Sequence, residues 1–155
     1  MKIAVYPGSF DPITNGHLDI LKRALSVFDK VIVLVSSNPN KKSRFTPKER
    51  KEMIEESLLE LGIENTEVDV WDGLTVEYAK KHNAPHLIRG LRAVTDFEYE
   101  FQLASANEIA DPSVDMVFFM SKISTSYISS SMIMELHDNG ADVSSLVPKA
   151  VSKRL

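Results

Sequence analysis

Cysteine is absent from the 155 residues of this chain, and its absence excludes several kinds of site. Without thiols the protein can contain neither a disulfide framework nor a thiolate-ligated metal. Long hydrophobic runs are also scarce, and the apolar run at the start (residues 1–6) is too short for a secretory signal and has no small-residue cleavage site after it. We therefore expect a cytoplasmic protein.

Positively charged residues are fewer than negatively charged ones in this sequence. The chain has 18 Lys and Arg against 22 Asp and Glu, a formal net charge of −4. No basic stripe is visible beyond the short segments 41–44 and 153–154, whereas binding to a nucleic-acid backbone usually requires one. We expect no nucleic-acid partner, and the pattern indicates no membrane partner.

Apolar segments without polar alternation recur along the chain, which is typical of strands buried on both faces of a parallel sheet. Amphipathic helical patterns separate them, one of them marked by Leu18, Leu21 and Leu25. The alternation predicts a single α/β domain over residues 1–155, built on a doubly wound five-stranded parallel sheet. The predicted strands are 2–6, 30–37, 67–71, 86–89 and 115–120.

Several helix ends can be predicted from capping motifs. Residues 46–49 and 95–98 both fit the capping box, with Thr46 and Thr95 as the N-caps. Gly62 and Gly140 lie where glycine commonly ends a helix.

The first strand is followed by a Gly-containing turn and a helix start, at Pro7-Gly8 and Thr14-Asn15-Gly16-His17. Backbone amides and a helix N-terminus meet there, and such a junction binds phosphate. Thr14 and His17, one helical turn apart, are expected to face the anion. The alternative is that His17 only caps the helix or forms a buried hydrogen bond.

Each later strand also ends in polar groups, and ligands bind beyond the carboxyl ends of strands in such a sheet. The groups are Lys41 and Lys42 after the second strand; Gly73, Leu74 and Thr75 after the third; Arg89 and Arg92 after the fourth; and 124–131 after the fifth.

Two arginines flank Gly90 at the end of the fourth predicted strand. The guanidinium groups of Arg89 and Arg92 are suited to the oxygens of a polyphosphate. The alternative is an ion pair with Glu98 or Glu100, and Glu100 could instead accept from a ligand hydroxyl. We favour the phosphate role.

Two further segments supply donors. Ser129, Ser130 and Ser131 precede an apolar helical run, which predicts a second phosphate site at a helix N-terminus, although an N-cap needs only one of these hydroxyls. Lysines in a loop usually serve solubility, but Lys41, the nearer to the sheet, is assigned a ligand role.

The chain offers no evident general acid–base or covalent machinery. No Ser–His–Asp order or close acidic pair presents itself, and His82, His86 and His137 lack metal-ligand spacing, so no metal site is predicted. Donors and positive charge suit transfer at phosphorus, where positioning and charge stabilisation do most of the work. A substrate phosphate, ionised near pH 7, needs no base to act as the nucleophile.

Four motifs together resemble those of one known family. They are YPGSFDPITNGH at residues 6–17, IRGLR at 88–92, DFEYE at 96–100 and ISSS at 128–131. The first is the T/HxGH signature of the nucleotidylyltransferase superfamily. With the others, the chain resembles the bacterial phosphopantetheine adenylyltransferases (pantetheine-phosphate adenylyltransferases) over essentially its whole length.

The resemblance implies a Rossmann-like nucleotidylyltransferase fold and transfer of the adenylyl group of ATP to 4′-phosphopantetheine. The products are dephospho-coenzyme A and pyrophosphate, in coenzyme A biosynthesis. Mg²⁺ is expected to accompany the ATP. The resemblance further implies a homohexamer and feedback inhibition by coenzyme A.

By position, the resemblance implies that His17 stabilises the transition state at the α-phosphate, with Lys41 and Arg92 as further catalytic residues. The ATP-binding residues are then Ser9, Phe10, His17, Gly90, Leu91, Arg92, Glu100, Thr125, Ser126, Tyr127, Ile128, Ser129, Ser130 and Ser131. The acceptor-binding residues are Ser9, Lys41, Leu74, Thr75 and Arg89.

The chain departs from the family pattern in two places. Ser9 replaces a common Thr and keeps the hydroxyl, and residues 121–125 lack the usual Pro and aromatic residue, which affects the contacts expected of Ser124 and Thr125. The alternatives are a nicotinamide or nicotinate mononucleotide adenylyltransferase, in which an Arg is expected where Met134 stands, a glycerol-phosphate cytidylyltransferase, and a non-catalytic nucleotide sensor.

Overall fold

The structure is a computed structural model that describes residues 1–38, 40, 42–92 and 94–155, without the side chains of residues 94–96. Strands and helices alternate along most of the chain. The strands are β1 (Ile3–Gly8), β2 (Lys30–Ser36), β3 (Thr66–Trp71), β4 (His86–Leu91) and β5 (Asp115–Met120). The helices are α1 (Asn15–Leu25), α2 (Pro47–Glu60), α3 (Thr75–Lys81), α4 (Val94–Ala110), α5 (Ser130–Asp138) and α6 (Lys149–Ser152), with a short 3₁₀ turn at Ile123–Thr125.

All five strands run parallel in the order β3-β2-β1-β4-β5. The predicted doubly wound five-stranded sheet is therefore confirmed. The strand order reverses between β1 and β4, and in open α/β sheets the ligand crevice lies at this switch point, beyond the carboxyl ends of the strands.

The two strands at the switch point separate toward their carboxyl ends. β1 pairs with β2 over six residues, but it pairs with β4 only at Ala4–His86 and Val5–Leu87. The sheet therefore opens between β1 and β4, immediately before Pro7 and Arg89.

Both faces of the sheet are buried, which explains the unbroken apolar strands. In β2, Val31, Val33 and Val35 pack in one core cluster with residues of α1, α2 and α5, whereas Ile32 and Leu34 pack in another with residues of α3. A strand buried on both faces has no reason to alternate polar and apolar residues.

Most predicted helix ends are confirmed. The Thr46 side chain accepts from the amide of Glu49 at 3.1 Å, and Gly62 and Gly140 take positive φ angles of 64° and 88° just after α2 and α5. The prediction of Thr95 as an N-cap is wrong, because α4 begins at Val94 and Thr95 lies inside the helix. β4 continues two residues beyond the predicted end because 89–91 pair with 118–120 of β5.

None of the helices in the described part of the chain combines the length and the apolar character that a membrane-spanning segment requires.

Candidate active site

A cavity of about 630 Å³ opens at the carboxyl ends of β1 and β4, where the two strands separate. It collects side chains from the loop after β1, the start of α1, the end of β4, and the N-terminal parts of α4 and α5. The lining includes Ser9, Phe10, Asp11, His17, Lys42, Arg44, Arg89, Gly90, Arg92, Tyr99, Glu100, Ile128, Ser129, Ser130 and Ser131.

His17 lines this cavity in a fixed orientation. Thr14 is the N-cap of α1, and its hydroxyl accepts from the amide of His17 at 3.3 Å. In return Nδ1 of His17 accepts from the amide of Thr14 at 3.0 Å. The histidine thus replaces the usual Glu of a capping box, and the same ring caps the helix and lines the cavity.

The environment of His17 favours the neutral imidazole. Burial, together with the positive charges of Arg92 and Arg89, lowers its pKa to about 4. Because Nδ1 accepts a hydrogen bond, the single ring proton lies on Nε2. The cavity therefore contains a neutral N–H donor rather than an imidazolium.

Phe10 supports the same ring. Its side chain is only 1% exposed and packs edge-on against His17, with ring centroids 4.9 Å apart, and against Tyr6 at 5.2 Å. Its φ angle of 45° lies in the left-handed region, which a bulky residue rarely adopts. The sequence suggests Gly8 as the special position of this turn, but the left-handed residue is Phe10.

Arg89 spans the gap between β1 and β4. Nε and Nη2 donate to the two carboxylate oxygens of Glu100 at 2.9 and 2.7 Å, and Nη1 donates to the Pro7 carbonyl at 3.2 Å. Burial opposes the charge of Arg89, but the paired Glu100 outweighs it and raises the pKa of Arg89. From the sequence, Glu100 was expected to bind either an arginine or a ligand hydroxyl, and the structure shows the arginine. Arg89 and Glu100 both line the cavity.

The rest of the β4 end approaches α1 and α5. Nη1 of Arg92 donates to the carbonyl of Ile128 at 2.9 Å, next to the serine segment. Gly90 is required by packing, because a Cβ there would lie 2.9 Å from Cγ1 of Ile20 in α1. Leu91, in contrast, does not line the cavity.

The three serines at the N-terminus of α5 have different hydrogen-bond partners. Ser129 is the N-cap, and its hydroxyl accepts from the amide of Met132 at 3.3 Å. The hydroxyl of Ser130 donates to the Pro12 carbonyl at 2.7 Å, and Ser131 is exposed at the cavity. All three line the cavity, so capping and ligand binding are compatible here.

The residues before this serine segment lie farther away. Thr125 and Ser126 donate their hydroxyls to the carbonyls of Lys122 and Ile123, and Tyr127 is exposed. None of these three residues lines the cavity, although the Thr125 carbonyl lies beside Gly16 at the start of α1.

A second cavity of about 380 Å³ adjoins the first and shares Ser9 and Arg89 with it. Thr75, at the start of α3, lines only this second cavity. Leu74 lies beside it with 58% of its surface exposed and lines neither. The two cavities meet at Ser9 and Arg89, so groups bound in them would be neighbours.

Lys41 lies outside the described residues. Its neighbour Lys42 lines the first cavity together with Arg44, whose side chain forms a bidentate ion pair with Asp138 at the end of α5.

The sequence reasoning missed three residues at this site: Asp11, Arg50 and Tyr99. Arg50 is 3% exposed and lies one turn before Met53 and Ile54 on the buried face of α2. An arginine at a buried position of an amphipathic helix is the signal that could have revealed it. Asp11 and Tyr99 carry no comparable signal, because an Asp in a loop and a Tyr in a helix are both common.

The comparisons with known proteins agree with this geometry. A family model described as Cytidylyltransferase-like matches residues 5–136. A protein of Caldanaerobacter subterraneus subsp. tengcongensis named phosphopantetheine adenylyltransferase is 50% identical over 155 residues, covering 100% of this chain and 96% of that protein. A protein of Desulfosudis oleivorans with the same name is 48% identical, covering 100% and 91%.

Among solved structures, a putative nicotinate-nucleotide adenylyltransferase from Vibrio parahaemolyticus has a TM-score of 0.69. It is 19% identical, and the match covers 99% of this chain and 98% of that one. At that identity the likeness shows the fold alone.

Proposed function

Since the chain belongs to the phosphopantetheine adenylyltransferase family, within the cytidylyltransferase-like enzymes, we propose that it transfers the adenylyl group of ATP to 4′-phosphopantetheine. The products are dephospho-coenzyme A and pyrophosphate, and the step belongs to coenzyme A biosynthesis. The observation that carries this proposal is the whole-length similarity, near half of all residues, to relatives of that name.

Two adjoining cavities that share Ser9 and Arg89 support a reaction between two bound substrates. ATP occupies the larger cavity, with its α-phosphate near His17. The phosphate of 4′-phosphopantetheine lies at the junction, and its arm extends past Thr75 through the smaller cavity.

The chemistry needs no covalent enzyme intermediate. An oxygen of the acceptor phosphate attacks the α-phosphorus of ATP and forms the new P–O bond. The bond from that phosphorus to the oxygen bridging to the β-phosphate breaks, and pyrophosphate leaves with the electron pair. Because the second pKa of a phosphate monoester is about 6, the nucleophile is already ionised near pH 7.

His17 acts as a neutral hydrogen-bond donor. Its Nε2–H donates to a non-bridging oxygen of the α-phosphate, where negative charge builds up in the transition state. Arg92 adds positive charge on the same side of the cavity. These interactions strengthen as the transition state forms, so they act on turnover more than on binding.

The remaining assignments follow the family pattern. ATP is bound by Ser9, Phe10, Gly90, Leu91, Arg92, Glu100 and the segment Thr125, Ser126, Tyr127, Ile128, Ser129, Ser130 and Ser131. The acceptor is bound by Ser9, Lys41, Leu74, Thr75 and Arg89. Of these, Leu91, Thr125, Ser126 and Tyr127 do not line the ATP cavity, and Leu74 lines neither cavity, so their assignment rests on the family pattern alone.

Mg²⁺ accompanies ATP in this proposal. Both carboxylate oxygens of Asp11, which lines the cavity, already accept backbone amides, and Glu100 is paired with Arg89. These engaged carboxylates fit a metal that arrives on the nucleotide, because Mg²⁺ is commonly held by substrate phosphates and water. When bound, it neutralises phosphate charge.

Self-association is supported by an exposed apolar patch on α4, where Phe97 and Phe101 lie one turn apart with ring centroids 6.1 Å from each other. Monomeric proteins rarely leave such a patch uncovered, and we assign it to contacts between copies in a homohexamer. Native mass spectrometry tests this assignment: a mass six times the 17.4 kDa of one chain is expected, and a monomer at micromolar concentration would exclude it.

Regulation and location complete the proposal. Coenzyme A carries the skeleton of the product dephospho-coenzyme A, so it fits the same two cavities as a feedback inhibitor. We also assign the enzyme to the cytoplasm, where a chain without cysteine needs no disulfides. We propose no membrane partner and, on the charge pattern of the sequence, no nucleic-acid partner.

The test is pyrophosphate release from ATP and Mg²⁺ with different acceptors. Release with 4′-phosphopantetheine, and not with nicotinamide or nicotinate mononucleotide, is expected. Release only with a mononucleotide would overturn the acceptor assignment. If ATP binds but no pyrophosphate is released with any acceptor, nor from CTP with glycerol 3-phosphate, the result would favour a nucleotide sensor.

A further inference from the structure

Arg50 is an arginine that the adenylyl-transfer chemistry does not use. It lies in the first turn of α2 and is buried. Its guanidinium donates to the carbonyls of Ser9 at 2.6 Å, Ser36 at 3.1 Å and Phe45 at 3.1 Å. These three carbonyls belong to the loop after β1, the end of β2 and the segment before α2, so one side chain joins three chain segments.

Asp11 makes the reciprocal connection. Its two carboxylate oxygens accept from the backbone amides of Arg44 at 2.7 Å and Phe45 at 2.9 Å. The carboxylate of Asp11 therefore ties the loop after β1 to the segment before α2. Arg50 connects the same two segments by donating to the carbonyls of Ser9 and Phe45. We call Asp11 and Arg50 together the loop clasp.

The loop clasp encloses the strained residue of the site. Phe10 has φ 45°, and the Arg50 contact precedes it by one residue while the Asp11 contact follows it by one. This conformation is unfavourable for a non-glycine residue and persists only when its surroundings hold it there. The clasp supplies this constraint on both sides.

The Arg50 contact also sets the direction of a donor. The Ser9–Phe10 peptide is trans, so its carbonyl and its N–H point to opposite sides. Arg50 lines only the smaller cavity, and Phe10 lines only the larger one. Holding the Ser9 carbonyl toward Arg50 therefore directs the amide of Phe10 away from Arg50.

We propose that Asp11 and Arg50 are positioning residues that hold the loop after β1 in its strained form and fix it to the lysine-bearing segment before α2. Through this loop they orient the Phe10 amide and the His17 ring packed on Phe10. The role in turnover rests on the proposed adenylyl transfer, whereas the role in loop geometry does not.

The test compares Arg50→Lys with Arg154→Lys. Arg154 is a matched control because it also anchors α2, through Glu52 and Glu56. We expect Arg50→Lys to lower kcat per folded molecule by about 10- to 100-fold, because small misplacements of reacting groups have such effects. Arg154→Lys is expected to lower the melting temperature while kcat stays within about twofold.

A readout without activity separates this proposal from the proposed function. In ¹H–¹⁵N spectra of the unliganded protein, Arg50→Lys is expected to shift the Phe10 amide and the His17 ring signals, and Arg154→Lys is expected to leave both unchanged. If wild-type protein shows no transfer to 4′-phosphopantetheine, the proposed function fails, and these shifts still decide the loop geometry.

Asp11→Asn provides a second variant should Arg50→Lys fail to fold. It keeps the size of the side chain and removes one of its two acceptors, so the same shifts and a comparable loss of kcat are expected. Because both residues act on one loop, the losses in the double variant are expected to fall short of their sum. Unchanged spectra and unchanged kcat in either single variant would overturn the proposal.

Discussion

The backbone amide of Thr14 donates to Nδ1 of His17 at 3.0 Å, and this bond selects the tautomer of the histidine that faces the cavity. Since Nδ1 is an acceptor, Nε2 carries the ring proton. A helix-capping interaction thus prepares a neutral donor at the place where the α-phosphate is proposed to bind.

The first prediction concerns the protonation of His17. Its pKa is lowered to about 4 by burial and by the nearby Arg92 and Arg89. NMR titration of the ring nitrogens is expected to show the Nε2–H tautomer at pH 7 and a midpoint near pH 4. A midpoint near the ordinary value of about 6.5 would contradict the proposed neutral donor.

The same pKa predicts how stability changes with pH. Between about pH 6.5 and pH 4 the unfolded chain binds a proton at this histidine and the folded chain does not, so the free energy of unfolding falls as the pH falls through this range. Urea unfolding at several pH values measures this slope. His17→Gln is expected to reduce it, and an identical slope in the variant would assign it to other groups.

The second prediction concerns the ion pair of the partly buried Arg89 and the buried Glu100. Glu100→Gln removes the negative charge but keeps the shape, and leaves a partly buried guanidinium without its counter-charge. We expect a loss of about 3 kcal/mol in the free energy of unfolding. Glu98→Gln, an exposed position of the same helix, is the control and is expected to change it by less than about 0.5 kcal/mol. Equal effects of the two variants would contradict the proposed importance of the pair.

The third prediction concerns the close approach of α1 and β4 at Gly90. In Gly90→Ala the new methyl group would lie 2.9 Å from Cγ1 of Ile20, so a loss of about 1–3 kcal/mol is expected. Ile20→Ala removes the opposing atoms and leaves a cavity of its own. Denaturation of both single variants and the double variant is expected to show a double-variant loss below the sum of the two. Additive losses would mean that the methyl group is accommodated elsewhere.

The fourth prediction separates the two neighbouring lysines. Lys41→Ala is expected to weaken 4′-phosphopantetheine binding by about tenfold or more while ATP binding changes by less than about threefold. Lys42→Ala is the matched variant, since Lys42 lines the proposed ATP cavity. Calorimetric titration of each ligand tests this, and the reverse pattern would transfer the acceptor role to Lys42.

Most of the fold could be predicted from the sequence, because a strand such as β2, buried on both faces, must be apolar throughout. The placement of His17, Arg89, Arg92 and the serines at one edge followed from the rule for strand ends. Local features of the site could not be predicted. The left-handed backbone of Phe10 depends on contacts from Arg50 and Asp11, which join segments far apart in sequence, and no local pattern encodes such contacts.

The extent of β4 illustrates the same limit. The glycine at 90 suggested that the strand ends at Arg89, yet residues 90 and 91 continue it because β5 pairs with them and α1 packs closely on Gly90. Tertiary pairing here outweighs local preference.

The most direct measurement of the central claim is kcat for pyrophosphate release in His17→Ala, together with the Kd of ATP for the same protein. The account predicts that kcat falls by about 10³-fold while Kd changes by less than about threefold, because the Nε2–H bond is made mainly in the transition state. His17→Gln, which keeps a neutral donor, is expected to lose less. Intact turnover with an equally large loss of ATP affinity would contradict the role of His17 and the account built on it.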